Sequence, residues 1–251
     1  MVLYKTEAMV LRSRRYREAD ALLTLLTREK GKVSVVAKGA YKPASKLRGG
    51  VQPYSINEMQ ISEGRSTLHT LIQSDCVEML LPIRQSYEAM ALGAYWAELL
   101  EVFGQEGMAD DGLYLLGKAG FLSVAVNPRH LTRLVLEIRL IGQQGLRPDF
   151  DRCCACGEPF DGAAVTRFSS AEGGFLCRAC PSRAGGHMRV SPGTRGLWRG
   201  LEGVALDKMG RVRLDPRQGD DLSEVLRWWI SRHTGKPMKT WELLREVFAN
   251  E

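Results

Sequence analysis

The chain has 251 residues, a formal net charge of +6, 44% apolar and 25% charged residues, the composition of a folded globular protein. No apolar run approaches the ~18–20 residues of a membrane span, and Met1–Glu7 lacks the apolar core of an export signal. Residues 1–50 hold twelve Lys/Arg against four Asp/Glu, leaving 23 against 25 in the remaining 201. The basic excess is therefore a property of the first fifth of the chain, which points to a polyanion-binding end.

The first 75 residues read as short strands with turn punctuation. Thr6–Ser13 is the first, followed by a polar stretch from Arg14 to Ala19. Asp20–Arg28 is the second and ends at the turn Glu29-Lys30-Gly31. Lys32–Lys38 sets Val33, Val35 and Ala37 against Lys32, Ser34 and Lys38, a strand with one core face and one basic face. A Gly/Pro-rich basic loop runs from Gly39 to Pro53. Ser55–Glu63 and Ser66–Ser74 then form a hairpin around Gly64-Arg65. Five antiparallel strands with a long third connection fit a small closed barrel of the OB type, although an SH3-like barrel has a similar pattern. Cys76 stands alone and reads as a buried apolar residue.

Helical periodicity begins after Pro82. Tyr87, Met90, Ala91, Ala94, Tyr95, Leu99 and Leu100 share one stripe of a long helix. A second helix covers about 112–124. A third follows Asn127-Pro128, with Pro in its first turn, and carries Leu131, Leu134, Val135, Ile138 and Ile141 towards Gly145. Further helices are expected over 192–204, over 220–233 with Leu222, Val225, Leu226, Trp229 and Ile230 inside, and from Thr240 to Ala249 with Leu243, Leu244 and Val247 inside. The expected architecture is α+β: a barrel over 1–80 and a helical domain over 81–251, with a small module inserted at about 149–186.

That module carries two Cys-x-x-Cys pairs, Cys153/Cys156 and Cys177/Cys180, separated by 20 residues. Each pair offers two thiolates on a tight turn, and together they match a tetrahedral Zn²⁺ site. Gly157 follows the first pair, while Pro181 makes the second knuckle less regular. Four cysteinates leave no open position for water, so one structural Zn²⁺ per chain is expected. A thioredoxin-like redox pair and a disulfide framework are the rival readings. Arg152, Arg167, Arg178 and Arg183 would offset the negative charge of the cluster. Cys154 is a spare in the same register as Cys153. Phe160, Phe168 and Phe175 would pack a ribbon too short to fold on apolar burial alone. Paired cysteines in an unexported chain fit a reducing cytoplasm.

No phosphate loop, Gly-x-Ser-x-Gly elbow or His-Glu-x-x-His helix occurs, and the histidines His69, His130, His187 and His233 are scattered. Asp110-Asp111 and Asp220-Asp221 read as helix caps rather than a Mg²⁺ site. No catalytic constellation is expected. The barrel instead offers Arg12, Arg14, Arg15 and Arg17 between the first two strands, Lys30 and Lys32 at the next turn, and Lys38, Lys42, Lys46 and Arg48 in the long loop. Tyr16, Tyr41 and Tyr54 are interleaved with them, as stacking platforms or as packing. A cationic groove with aromatics is the device of single-strand binders.

Five segments together resemble the RecO recombination mediators of bacteria: Thr6–Ser13, Glu18–Thr27, Gly31–Ala40, Lys46–Tyr54 and Gly145–Cys153. The similarity fades over residues 187–251. The resemblance implies an OB barrel, a helical domain and an inserted Cys₄ site. It also implies binding of single- and double-stranded DNA, annealing of complementary strands, and work with RecR to load RecA onto strands coated by single-strand-binding protein, at the nucleoid. By position, the DNA face would be the basic residues at the end of the first strand and the Lys38–Arg48 loop. For the acidic tail of single-strand-binding protein, candidate contacts are Arg195 and Arg199, which cluster with Arg183, Arg189 and Trp198, or Lys236 and Lys239. The alternative is that Trp198 is core and the arginines are solvated. A zinc-containing RNA-binding or ribosome-associated factor with a small barrel is the rival function.

Overall fold

The computed structural model describes residues 2–64, 67–160, 167–180, 187–191 and 193–248. Of the residues named above, Met1, Arg65, Ser66, Pro181, Arg183 and Ala249 lie outside the described residues, as does position 192 at the start of an expected helix. The chain divides into two compact units, Met1–Pro128 with Lys239–Val247, and Arg129–Met238 with Phe248–Glu251.

In the first unit, β1 (Leu3–Tyr16), β2 (Asp20–Thr27), β3 (Gly31–Ala37), β4 (Ile56–Ser62) and β5 (Leu68–Glu78) close a barrel in the order β1-β2-β3-β5-β4. β4 pairs antiparallel with β1, closing the sheet. The β3–β5 pairing is parallel, so the expectation of uniformly antiparallel strands is corrected. The long connection after β3 carries the chain across to the far side of β1, and β5 returns beside β3 in the same direction. This order is that of an OB barrel and separates it from the SH3-like alternative.

The core follows the alternation read from the sequence: Ala8, Val10, Leu23, Leu25, Val33, Val35, Met59, Ile61 and Leu71 meet inside. Ala40 and Val51 from the long connection join them, with Leu47 packed alongside, so that loop is anchored at three points. The polar stretch Arg14–Tyr16 belongs to β1, because its backbone pairs with Leu22, Ala21 and Asp20 of β2. Cys76 is exposed rather than buried. β5 fully buries only Leu71, and its register on β4 shifts between Gln60 and Ile61, so simple alternation fails beyond that point.

Helices α1 (Tyr87–Phe103) and α2 (Asp111–Val126) pack in the same unit. Ser86 caps α1 by accepting from Ala89 N, and Asp110 caps α2 by accepting from Leu113 N at 2.8 Å, the capping role expected of that aspartate. The buried side of α1 includes Leu92 and Trp96 beside Tyr95, Leu99 and Leu100, whereas Tyr87 and Met90 are exposed. The apolar stripe is thus rotated from the expected one, because Trp96 turns towards Gly117 and Gly120 of α2. Its Nε1 donates to Gly117 O at 3.1 Å. On β1, Glu7 receives Tyr114 Oη at 2.9 Å and Lys118 Nζ at 2.9 and 3.0 Å, tying α2 to the barrel. α6 (Trp241–Val247) returns to α1, where Tyr95 and Trp241 pack at 6.0 Å. Here Trp241 is buried and Leu243 exposed, reversing the place expected for Leu243.

The second unit contains α3 (His130–Gln143), a three-stranded ribbon of β6 (Arg167–Ser169), β7 (Gly174–Leu176) and β8 (Met188–Arg189) in the order β7-β6-β8, then α4 (Thr194–Glu202) and α5 (Pro216–Thr234). Pro128 stands just before the Arg129 cap of α3 rather than within its first turn. α5 starts four residues earlier than expected, with Asp215 as its cap and Pro216 in its first turn. Asp220 and Asp221 therefore lie inside the helix and do not cap it. Asp221 instead accepts from Ser191 N at 2.6 Å. The Asp-Pro pair is the start signal that apolar spacing missed.

Candidate metal centre and nucleic-acid interface

The ribbon cannot support itself by burial, and its aromatic residues show where it leans. Phe175 contacts Phe168 at 5.1 Å and Phe150 at 5.7 Å, Phe150 meets Trp198 of α4 at 5.5 Å, and Phe168 meets Trp229 of α5 at 5.5 Å. Phe168, Phe175 and Trp198 are completely buried. Trp198 is therefore core and backs no groove. Phe160 is only partly buried, under the Arg195 guanidinium.

Beyond the open end of the β6–β7 hairpin, where Leu176 pairs with Arg167, the Sγ atoms of Cys153, Cys156, Cys177 and Cys180 all lie within 4.8 Å of one another, and Cys156 Sγ stands 3.8 Å from Cys177 Sγ. Zn–S bonds of about 2.3 Å in a tetrahedron place sulfurs roughly 3.8 Å apart, so the cluster has the dimensions of a metal site. All six cysteines are free thiols, against a disulfide framework. Cys154 takes no part in the cluster: its amide donates to Phe175 O at 3.0 Å and burial pushes its thiol up to about 11.

The electrostatics also favour a cation. Burial opposes ionisation of Cys153, but amide donors from Cys177, Cys156 and Ala155 outweigh it and bring the thiol down to about 6. Cys180 is pushed up to about 12 by the sulfurs of Cys156 and Cys177 beside it. Four thiolates this close repel one another, and a bound divalent ion is what lets all four ionise. Gly157 follows the first pair with φ of +74°, as the knuckle turn requires. The four cysteines can hold a metal ion.

The basic candidates on the barrel fall into two groups. Arg15, Arg17, Lys38 and Lys42 belong to one end, formed by the β1–β2 turn and the start of the long connection; Arg14 lies on β1 opposite Leu22, and Lys46 and Arg48 follow further along that connection. Asp20 fastens these two loops by accepting from Gly39 N at 2.7 Å, and Tyr41 N donates to Ala19 O at 2.9 Å. Arg17, Asp20, Lys38, Gly39, Lys42, Ala44 and Ser45 line an open cleft of ≈ 550 Å³. Arg15 lies over the Tyr41 ring at 5.1 Å and Arg17 over Tyr16 at 5.2 Å, so these two tyrosines sit among the cations. Tyr54 does not: it packs on Phe121 at 5.6 Å and is a packing residue.

Lys30 and Lys32 lie at the other end of the β2–β3 hairpin, roughly 20 Å away for six residues of strand, because Thr27 pairs with Gly31 while Ala21 pairs with Ala37. Both have partners within the unit. Lys30 pairs with Glu63 at 3.2 Å, and Lys32 Nζ donates to Glu101 O at 2.7 Å. Arg12 is intermediate in position and lies 3.9 Å from Glu101.

In the second unit Arg195 Nη1 donates to Phe150 O at 2.8 Å, and Arg199 pairs with Asp151 at 2.8 Å while remaining half exposed. These arginines brace the ribbon's base. Lys236 and Lys239 are exposed on the segment between α5 and α6. The spacing of apolar residues gave no sign of a buried polar centre in the same unit. Arg133 pairs with Glu137 at 3.1 Å, with both side chains 3% exposed or less, donates to Ser223 Oγ at 2.6 Å and meets His130 Nε2 at 2.5 Å. The i, i+4 spacing of Arg133 and Glu137 was its one visible trace.

Among the described residues no helix is long and apolar enough to cross a membrane. The family model for the recombination protein O N-terminal region matches residues 1–80, and that for its C-terminal region matches residues 84–242. Similar curated proteins are named DNA repair protein RecO. The protein from Desulforamulus reducens is 32% identical over 250 residues, covering 100% of this chain and 97% of the relative. That from Heliobacterium modesticaldum is 33% identical over 98% of this chain and 91% of its own length. The Bacillus pumilus protein is 28% identical over 98% of this chain.

Proposed function

The chain belongs to the RecO family of DNA repair proteins, and we propose that it acts as a recombination mediator whose DNA-binding face is the basic end of the barrel. It binds single- and double-stranded DNA, anneals complementary strands and, with RecR, promotes loading of RecA onto strands covered by single-strand-binding protein. The observation that carries this reading is the open cleft at one barrel end lined by Arg17, Lys38 and Lys42, with Arg15 over Tyr41 and Arg17 over Tyr16 beside it; Arg14, Lys46 and Arg48, on the same strand and loop, extend the proposed face. Two DNA strands repel each other, and a cationic surface that holds both lowers that repulsion without reading sequence. Such work needs neither nucleotide nor catalytic metal. The four cysteines hold one Zn²⁺ per chain, with structure as its task.

Lys42→Ala/Lys46→Ala tests the assignment. Affinity for a mixed-sequence single strand should fall similarly for all sequences, and the slope of log affinity against log salt should flatten by about 0.7 for each phosphate contact removed. Unchanged affinity and slope would move the site elsewhere. A matched RNA strand bound clearly more tightly than DNA would favour the RNA-binding alternative instead.

A further inference from the structure

The ribbon holds a group of cations that the metal site explains only in part and the barrel face does not explain. Arg167, Arg178, His187, Arg189 and Val190 line a cavity of ≈ 470 Å³. Three of these residues are arginines, and no carboxylate is among the described lining residues. The sequence around it is equally one-sided, since residues 173–201 contain five arginines and neither Asp nor Glu.

Two features show that the cluster is built rather than accidental. Arg167 and Arg189 face each other directly across the β6–β8 pair. Like charges in that position are destabilising, and an anion lying between them would remove the repulsion. Arg167 is also held in place, because its Nη2 donates to Arg178 O at 2.6 Å and to Cys177 O at 3.4 Å. Compensation of the cysteinate cluster accounts for Arg178, which follows Cys177 in the chain. It does not account for Arg189, which stands on the outer strand.

We infer that this cavity is a second phosphate site, one that takes the phosphodiester backbone of a nucleic-acid strand. Guanidinium forks match phosphate oxygens. Among the described lining residues, four of the five carry basic side chains and Val190, 6% exposed, is the apolar one, a lining suited to an anion. The inference rests on the DNA-binding reading given above. It adds that each of the two units carries its own strand-binding surface.

The test uses full-length protein in four forms: wild type, Arg178→Gln/Arg189→Gln, Lys42→Ala/Lys46→Ala and the quadruple variant. Anisotropy of a labelled mixed-sequence single strand is followed across salt concentrations, with metal content per chain measured to show that the ribbon is intact. The ribbon variant should bind several-fold more weakly, with a salt slope lower by about 1.4 for two lost phosphate contacts. Binding left in the barrel variant should disappear in the quadruple one. If the double ribbon variant loses metal, the milder Arg189→Gln should still lower the slope by about 0.7. A metal-replete ribbon variant with wild-type affinity and slope overturns the site while leaving the barrel reading intact. So does one that loses affinity for an acidic peptide but not for DNA. A wild-type chain that binds no strand overturns both readings.

Discussion

At the scale of single residues the metal centre makes the sharpest demands. Cys153 and Cys154 are adjacent and chemically identical, yet the fold gives them opposite roles. The first receives amide hydrogen bonds that stabilise its thiolate, while burial keeps the second protonated. Cys156→Ser should therefore reduce bound zinc well below one per chain and lower thermal stability, since structural zinc supplies folding energy on the order of 10 kcal/mol in isolated finger peptides. Cys154→Ser should retain full metal. Metal analysis of the two purified variants separates these outcomes, and equal loss in both would mean that Cys154 is itself required to hold the metal. His130 sets a second demand. Burial, with Arg133 beside it, brings its pKa down to about 3. The unfolded chain takes up that proton near 6.5, so the contribution is fully present above 6.5 and is lost as pH falls towards 3. Melting temperature should drop over this range, and by less in His130→Gln, in which that group no longer titrates. Identical pH profiles would dismiss His130 as the source.

At the scale of elements, the α1–α2 contact depends on the absence of side chains. A Cβ on Gly120 would lie 2.3 Å from Trp96 Nε1 and one on Gly117 would lie 2.9 Å from Met9. Gly120→Ala is therefore an overpacking change at a buried indole, with an expected cost of roughly 1–3 kcal/mol. Denaturant unfolding should show an earlier midpoint, and no shift would mean that Trp96 moves aside freely. Neither glycine is a helix former, and both were invisible as contact residues in the sequence. The same holds for the rotation of α1: Tyr87 and Met90 have the right spacing for a buried stripe, but Trp96 chooses the face, and which face packs depends on the neighbour rather than on period.

For the whole molecule, the charge count and the cysteine spacing already divided the labour. The basic excess lies in residues 1–50, within the barrel, and the two Cys-x-x-Cys pairs make one cluster. Both could be read early because they depend on residue type and local spacing: a tight turn brings its own two thiols together, and alternation alone tells a strand's inner face from its outer one. What needed the tertiary structure was everything that depends on distant partners. Charge alone could not separate Lys30 and Lys32, each engaged at the far end of the β2–β3 hairpin, from Lys38 and Lys42 beside the cleft, because strand register decides which end a residue reaches. The parallel β3–β5 pairing, the burial of Arg133 with Glu137 and the facing of Arg167 by Arg189 are likewise long-range facts. The i, i+4 spacing shows that Arg133 can meet Glu137 but not that the pair is buried; that burial and the two strand pairings arise only when segments far apart in the chain pack together.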